Sequence, residues 1–421
     1  MKDREAGSGS REPKRRSRAG DTAARASKRA ETPGATPSPA LSAARYETVA
    51  LVLQGGGALG SYQCGVYEAL HDAGLRPNWF AGTSIGAINA AILAGNAPEL
   101  RIERLREFWN TICRPAGAFA WPANALAAMA GWLPPSAPLD AWMNALGAFG
   151  ALAQGQQGFF RPRPLPPFAF ADGSAAATSF YDTGELKATL ERLVDFDRIN
   201  GDGVRLSVGA ANVATGNFRY FDSARERIRP EHVMASGALP PAFPAVAIDG
   251  QHYWDGGLVS NTPLEYLLEA EPRTDTLVLQ VDLWSARGAL PKTMQDVLER
   301  EKDIQFSSRT RLGTDTVARR QRLRAALHAL LQKVPARDVP AQMLEDLRPW
   351  MCDRVFNIIH LIYQAKSYEE QYKDYSFGAA TMREHWRSGV EDMRRSLGHP
   401  EFFVPPSRRV GVVTHDIHRR R

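Results

Sequence analysis

Gly82-Thr83-Ser84-Ile85-Gly86 is the stretch of this 421-residue chain with the plainest chemical meaning. It is a G-x-S-x-G pentapeptide set between a short apolar segment, residues 78–81, and an Ala/Ile-rich helical pattern, residues 87–94. A serine at the apex of such a strand-to-helix turn is pushed out above the sheet in a strained conformation, and the flanking glycines let strand and helix approach. The amide that follows opens a helix, where negative charge is favoured. These are the needs of a nucleophile that must form and hold an oxyanion. Upstream, Gly55-Gly56-Gly57-Ala58-Leu59-Gly60 offers bare backbone of the kind that cradles anions.

The elements around these residues follow from apolar spacing. Residues 48–54, TVALVLQ, read as a strand buried on both faces of a parallel sheet. SYQCGVYEALHDAG then reads as a helix with Tyr62, Val66, Tyr67 and Leu70 on one face and Gly74 as its stop. With a second strand at 79–81 this is the start of a βαβ unit. Gly55, Gly57 and Gly60 also fit the dinucleotide fingerprint, which requires an acid at the end of the second strand to hold the ribose. No Asp or Glu lies between Asp72 and Glu99, and the second strand runs into the Ser84 turn. The glycines are therefore read as an anion cradle facing the serine.

Further along, residues 184–194 read as a helix, 204–213 as a strand with 218–221 as its partner, and 231–235 as a short helix. A Pro-rich turn, ASGALPPAFP at 235–244, leads to a hairpin at 245–254 around Asp249-Gly250, which ends in Asp255-Gly256-Gly257. Residues 277–283 form another buried strand pattern and 355–363 a further one. From residue 291 the chain turns charged and helical. Residues 305–334 are dense in arginine, with an apolar stripe through Leu323, Leu327, Leu330 and Leu331, the pattern of a solvated face on a packed helix. Residues 415–421 read as a frayed basic end.

Charge is unevenly placed. The formal net charge is +6, and residues 1–45 hold 11 Lys/Arg against 5 Asp/Glu, so the rest of the chain is balanced. That tail carries Lys14, Arg15, Arg16 and Arg18 with almost no large apolar residue, and is expected to be disordered. A polybasic arm can meet an anionic lipid surface, or be an inert leader. No secretory signal is expected, and three scattered cysteines suit reduced thiols in a cytoplasm. In residues 115–160 Asp140 is the sole charge, yet prolines confine the best helical piece to about half a membrane span. An insertion so rich in Trp, Ala and Phe reads as a lid, an interfacial patch, or an ordinary cap.

Taken in order, the glycine loop, the Ser84 pentapeptide, the Ala235-Ser236 to Phe243-Pro244 block and Asp255-Gly256-Gly257 with trailing Asn261 and Pro263 resemble the patatin-like phospholipases over roughly residues 47–285. The resemblance implies a three-layer α/β sandwich with a mostly parallel central sheet, here followed by a largely helical C-terminal region. It implies a serine hydrolase of lipid acyl esters with a Ser-Asp dyad and neither metal nor cofactor. Ser84 would be the nucleophile, Asp255 its partner, and Gly55, Gly56 and Gly57 the oxyanion-hole donors, with Gly60, Gly82, Gly86, Gly256 and Gly257 completing the motifs. A carboxylate can serve as the base if burial lifts its pKa toward neutrality.

This chain has Leu59 where the family's loop usually has Arg or Lys. That leaves open how the loop is anchored, and favours a neutral ester over a phospholipid head group. A Ser-acid-His triad stays open through His328, His360, His385, His399, His415 and His418, although His360 sits inside a strand pattern and His252 near Asp255 reads as a bystander. Acyl transfer through the same dyad and a non-catalytic lipid- or partner-binding module are the rival functions. The expected organisation is a tail at 1–45, a catalytic domain at 46–290 with the insertion at 115–180, and an accessory region at 291–421. The expected partner is a lipid or acyl-ester substrate, with no nucleic acid. The expected setting is cytoplasmic, with peripheral membrane contact through residues 115–160 or the tail.

Overall fold

The computed structural model describes residues 37–114, 154–201, 203–307, 310–365 and 373–418. Most of the basic tail and residues 115–153 of the apolar insertion lie outside the described residues. The strands are β1 (Thr48–Leu53), β2 (Trp79–Thr83), β3 (Arg161–Pro162), β4 (Tyr181–Asp182), β5 (Arg205–Asn212), β6 (Phe218–Asp222), β7 (Val246–Ile248), β8 (Gln251–Asp255), β9 (Thr276–Asp282), β10 (Phe356–Ile362) and β11 (Val412–Asp416). The helices are α1 (Pro39–Ala43), α2 (Ser61–Asp72), α3 (Ile85–Ala94), α4 (Arg101–Ile112), α5 (Gly184–Leu193), α6 (Phe196–Ile199), α7 (Pro230–Ser236), α8 (Leu264–Glu269), α9 (Met294–Phe306), α10 (Thr310–Leu331), α11 (Ala341–Leu347) and α12 (Ala379–Leu397).

Nine strands form one sheet in the order β11-β10-β9-β1-β2-β5-β8-β7, with β6 also paired to β5. The run from β11 to β5 is parallel throughout, and the pairs made by β6, β7 and β8 are antiparallel. Because successive strand residues point to opposite faces, β1 feeds two cores. Val49, Leu51 and Leu53 join the larger one, with α2, α3, α4 and α12, while Ala50 and Val52 join a smaller one with α8 and Val317 of α10. Helices thus cover both faces of a mostly parallel sheet, a three-layer sandwich with several helices in the C-terminal region.

That C-terminal region is built into the sheet. β10 pairs with β9 from Phe356 opposite Thr276 to Ile362 opposite Asp282, and β11 pairs with β10. His415 and Asp416 are therefore strand residues opposite Ile359 and His360, not a frayed end. Their ladder partners lie some 55 residues upstream, beyond the reach of a local pattern. α12 buries Met382, Trp386 and Met393, spaced by four and seven, against the same core as α2. Polar ties join the pair: Trp386 Nε1 donates to Glu68 at 2.6 Å, and Tyr62 donates to Asp392 at 2.9 Å.

Two other differences have local causes. Residues 39–43 form α1, capped by Ser38 and carrying buried Ser42 and Ala43, so order begins inside the stretch expected to be disordered. On α10 the inward residues are Val317, Gln321 and Arg324, while Leu323 and Leu330 of the anticipated stripe are exposed. The helix is turned this way by the Glu269 carboxylate, which accepts from Arg320 at 2.7 Å and from Arg324 at 2.6 Å. Among the described residues no helix is long and apolar enough to cross a membrane.

Candidate active site

Ser84 occupies the single residue between β2 and α3, with φ +57° and ψ −127°. Few non-glycine residues hold a positive φ, so the turn stores strain that its surroundings must sustain. Gly82 and Gly86 make the turn possible: a Cβ on Gly82 would overlap the Gly86 carbonyl, and one on Gly86 would overlap the Leu53 carbonyl of β1. The backbone is also pinned by a side chain. Ser236, fully buried at the end of α7, accepts the Ser84 N–H at 3.1 Å and donates to the Gly209 carbonyl of β5 at 2.6 Å. Ser84 itself is partly exposed, as a residue that meets a substrate must be.

Asp255 ends β8 opposite Ala210 of β5 and is 1% exposed. Its N–H donates to the Ala238 carbonyl at 2.9 Å, and its carboxylate accepts the Gly257 N–H at 2.6 Å. Gly256 lies against the Gly209 carbonyl and the Thr83 side chain, which brings the end of β8 beside the Ser84 turn. Burial pushes the Asp255 carboxyl up, and hydrogen bonds from the Ser84 hydroxyl and the Gly257 N–H offset only part of it, leaving a pKa of about 7. A carboxylate in that range can accept a proton near neutrality and return it.

The glycine loop follows β1 and arches over the same place. Gly55 is buried against the Ser84 Cβ, with its N–H directed at the Asn261 carbonyl at 3.3 Å. Gly56 and Gly57 are partly exposed, and among the described residues their N–H groups have no hydrogen-bond partner. Of the three glycines singled out in the sequence, two therefore keep amide donors without a partner among the described residues, while the third, next to Ser84, has its N–H turned to Asn261. Gly57 has φ +54°, a conformation glycine adopts without steric cost. Gly60 packs on Ile85 and Trp109. Leu59 is fully buried in the large core and sends no polar group toward the site.

Several of the downstream histidines hold other partners. His360 Nε2 is 2.7 Å from Asp282, His385 faces the Ala58 carbonyl at 3.4 Å, His399 pairs with Glu401, and His415 stacks on Phe402. A cavity of about 360 Å³ beside Leu283, Arg300 and Lys373 contains neither Ser84 nor Asp255. Sequence reasoning overlooked Ser236 as a support for Ser84, although it stands in a block already noted. It also overlooked Trp284, whose Nε1 donates to the Gly55 carbonyl at 2.8 Å and which no local pattern marks.

A family model described as patatin-like phospholipase matches residues 51–268, just over half of the chain. The chain belongs to the patatin-like phospholipase family. A second model, described as patatin phospholipase, matches residues 304–409. Lysophospholipase nte1 of Aspergillus terreus is 52% identical over 50 residues, a match that spans 12% of this chain and only 3% of that protein. The crystal structure of VipD from Legionella pneumophila aligns with 84% of this chain and 67% of its own at 16% identity and a TM-score of 0.34. In this patatin-like chain the two matched stretches meet at the glycine loop: Asn261 Nδ2, in the first, donates to the carbonyl of Phe306, in the second, at 2.9 Å.

Proposed function

We propose that this protein hydrolyses acyl esters of lipids through Ser84 and Asp255. The observation that carries the proposal is the meeting of a partly exposed serine on a strained turn with a buried carboxyl whose pKa is about 7. Ionised Asp255 takes the Ser84 proton as Oγ attacks the ester carbonyl. The resulting oxyanion lies against the Gly56 and Gly57 amides, where one donor is worth about 3 kcal/mol. Protonated Asp255 then returns the proton to the departing alkoxide, leaving an acyl-serine. Water, deprotonated by the same carboxylate, attacks the acyl carbon, and Ser84 regains its proton.

Family membership and the lysophospholipase among the relatives support a lipid as acyl donor. Leu59, apolar and fully buried, brings no cation to the loop, which favours a neutral acylglycerol over a phosphate-bearing head group. Wild type and Ser84→Ala, each given monoacylglycerol, lysophosphatidylcholine and p-nitrophenyl esters of rising chain length, provide the test. The expected result is release by wild type alone, fastest on the neutral lipid. Turnover retained by Ser84→Ala removes the nucleophile assignment, and a folded wild type inactive on every ester removes the hydrolase reading.

A further inference from the structure

We propose that Trp284 and Asn261 are positioning residues of the oxyanion donors, and that the C-terminal region acts on the site through them; this rests on the hydrolase reading above. In a trans peptide the carbonyl and the following N–H lie in one plane and point in opposite directions. The Gly55 carbonyl accepts two hydrogen bonds, from Trp284 Nε1 at 2.8 Å and from Asn261 Nδ2 at 3.0 Å. Whatever fixes that carbonyl also aims the Gly56 N–H, away from the buried tryptophan and asparagine. The next plane is set likewise, because the Gly56 carbonyl accepts the Leu59 N–H at 3.2 Å and so orients the Gly57 N–H. An oxyanion hole gives its full effect only when its donors are aimed before reaction, so a loop of glycines needs such external fixation.

Both anchors are gripped from beyond the catalytic stretch. The second amide hydrogen of Asn261 goes to the Phe306 carbonyl at the end of α9, which also accepts from Gln54 at 3.1 Å. Trp284 donates its backbone N–H to Gln54 at 3.0 Å and packs on the Phe306 ring, centroids 5.5 Å apart. The Lys373 ammonium lies 5.3 Å from the Trp284 ring centroid, a cation–π distance. Lys373 is buried and is held by Glu299 at 3.0 Å and Asp303 at 2.8 Å, both on α9. On the other side of the loop the Asp374 carbonyl abuts Gly57, while its carboxylate pairs with Lys302 of α9 at 2.9 Å. Leu59 supplies no polar anchor, and Trp284, Asn261 and α9 stand in its place.

The test uses the full chain with Trp284 replaced by benzothienylalanine, which keeps the bicyclic shape and exchanges the N–H for sulfur, beside Trp284→Phe and Lys373→Met. Thermal midpoints establish that each variant folds. Turnover of p-nitrophenyl butyrate is measured together with the affinity of a trifluoromethyl ketone, whose adduct with Ser84 carries an oxyanion, and of the matching methyl ketone. The expected result for the benzothienylalanine protein is kcat lowered roughly 10- to 100-fold at an unchanged KM. Trifluoromethyl ketone affinity should fall by the same factor, with methyl ketone affinity unchanged, and Lys373→Met should give the same pattern with a smaller loss. A folded benzothienylalanine variant with wild-type kcat, or a kcat loss without the matching inhibitor loss, overturns the positioning role. A wild type that neither turns over the ester nor is labelled at Ser84 by a fluorophosphonate overturns the hydrolase reading itself.

Discussion

Asp222 and Asp255 are two buried carboxylates on strands that pair with β5, the first opposite Ser207 and the second opposite Ala210. Burial raises both, yet they end at opposite extremes. Asp222 accepts from Arg205 at 2.7 Å, Ser207 at 2.9 Å, Tyr266 at 2.7 Å and the Ala224 N–H at 2.9 Å, and these partners hold its pKa below the ordinary value despite burial. Among the described residues no cation shifts Asp255, which has the Ser84 hydroxyl and the Gly257 N–H, and burial pushes its pKa up to about 7. The same side chain is a structural anion where its charge is satisfied and, in the proposed mechanism, a proton acceptor where it is left poor. Burial alone distinguishes neither; the count and charge of the donors does.

The largest effect expected from this contrast is on activity. Ser84→Ala and Asp255→Asn should each reduce ester turnover by about 10³-fold or more, while Asp222→Asn should keep near wild-type turnover per folded molecule; an equal loss at Asp222 would erase the distinction. On stability the order reverses. Asp222→Asn should cost about 3–5 kcal/mol at pH 7, because Arg205 is left without its partner; urea unfolding measures it. Since the Asp222 pKa is lowered on folding, that contribution is present above the ordinary carboxylate pKa and fades as pH falls through the folded value.

Asp255 has the opposite sign. Its raised pKa means that the folded state loses stability as pH rises from about 4 to about 7. Asp255→Asn should therefore be more stable than wild type at pH 8, by up to about 4 kcal/mol, with the gain gone at pH 4. Thermal midpoints at the two pH values decide it, and a variant less stable than wild type at pH 8 would break the account of that carboxyl. The smallest effect concerns the turn. Ser236→Ala should lower kcat by about 10-fold, the value of one hydrogen bond, at an unchanged KM; an unchanged kcat would leave Ser236 a mere packing residue.

The Ser84 turn, the β1–α2–β2 entry and the hairpin ending at Asp255 were legible because each is encoded by a few adjacent residues: TVALVLQ, two glycine clusters, and Asp249-Gly250 at the tip. Features set by distant partners were not. The place of β10 and β11 in the sheet depends on β9, and α10 presents Arg324 rather than Leu323 to the interior because Glu269 lies 55 residues away on α8. The inward turn of the Gly55 N–H is imposed by the Asn261 carbonyl, and the Trp284 anchor by a fold that brings residues 229 positions apart to 2.8 Å. Local chemistry marked the groups proposed to react, whereas those proposed to aim them come from tertiary packing.

The most direct measurement is the pH dependence of p-nitrophenyl butyrate hydrolysis by wild type between pH 5 and 9, with Ser84→Ala subtracted as the blank. If Asp255 is the base, kcat/KM rises with pH to a plateau, half-complete near pH 7 where burial has placed its pKa. A profile flat across that range, or one already complete at pH 5, would mean that the carboxyl taking the Ser84 proton is not the one described.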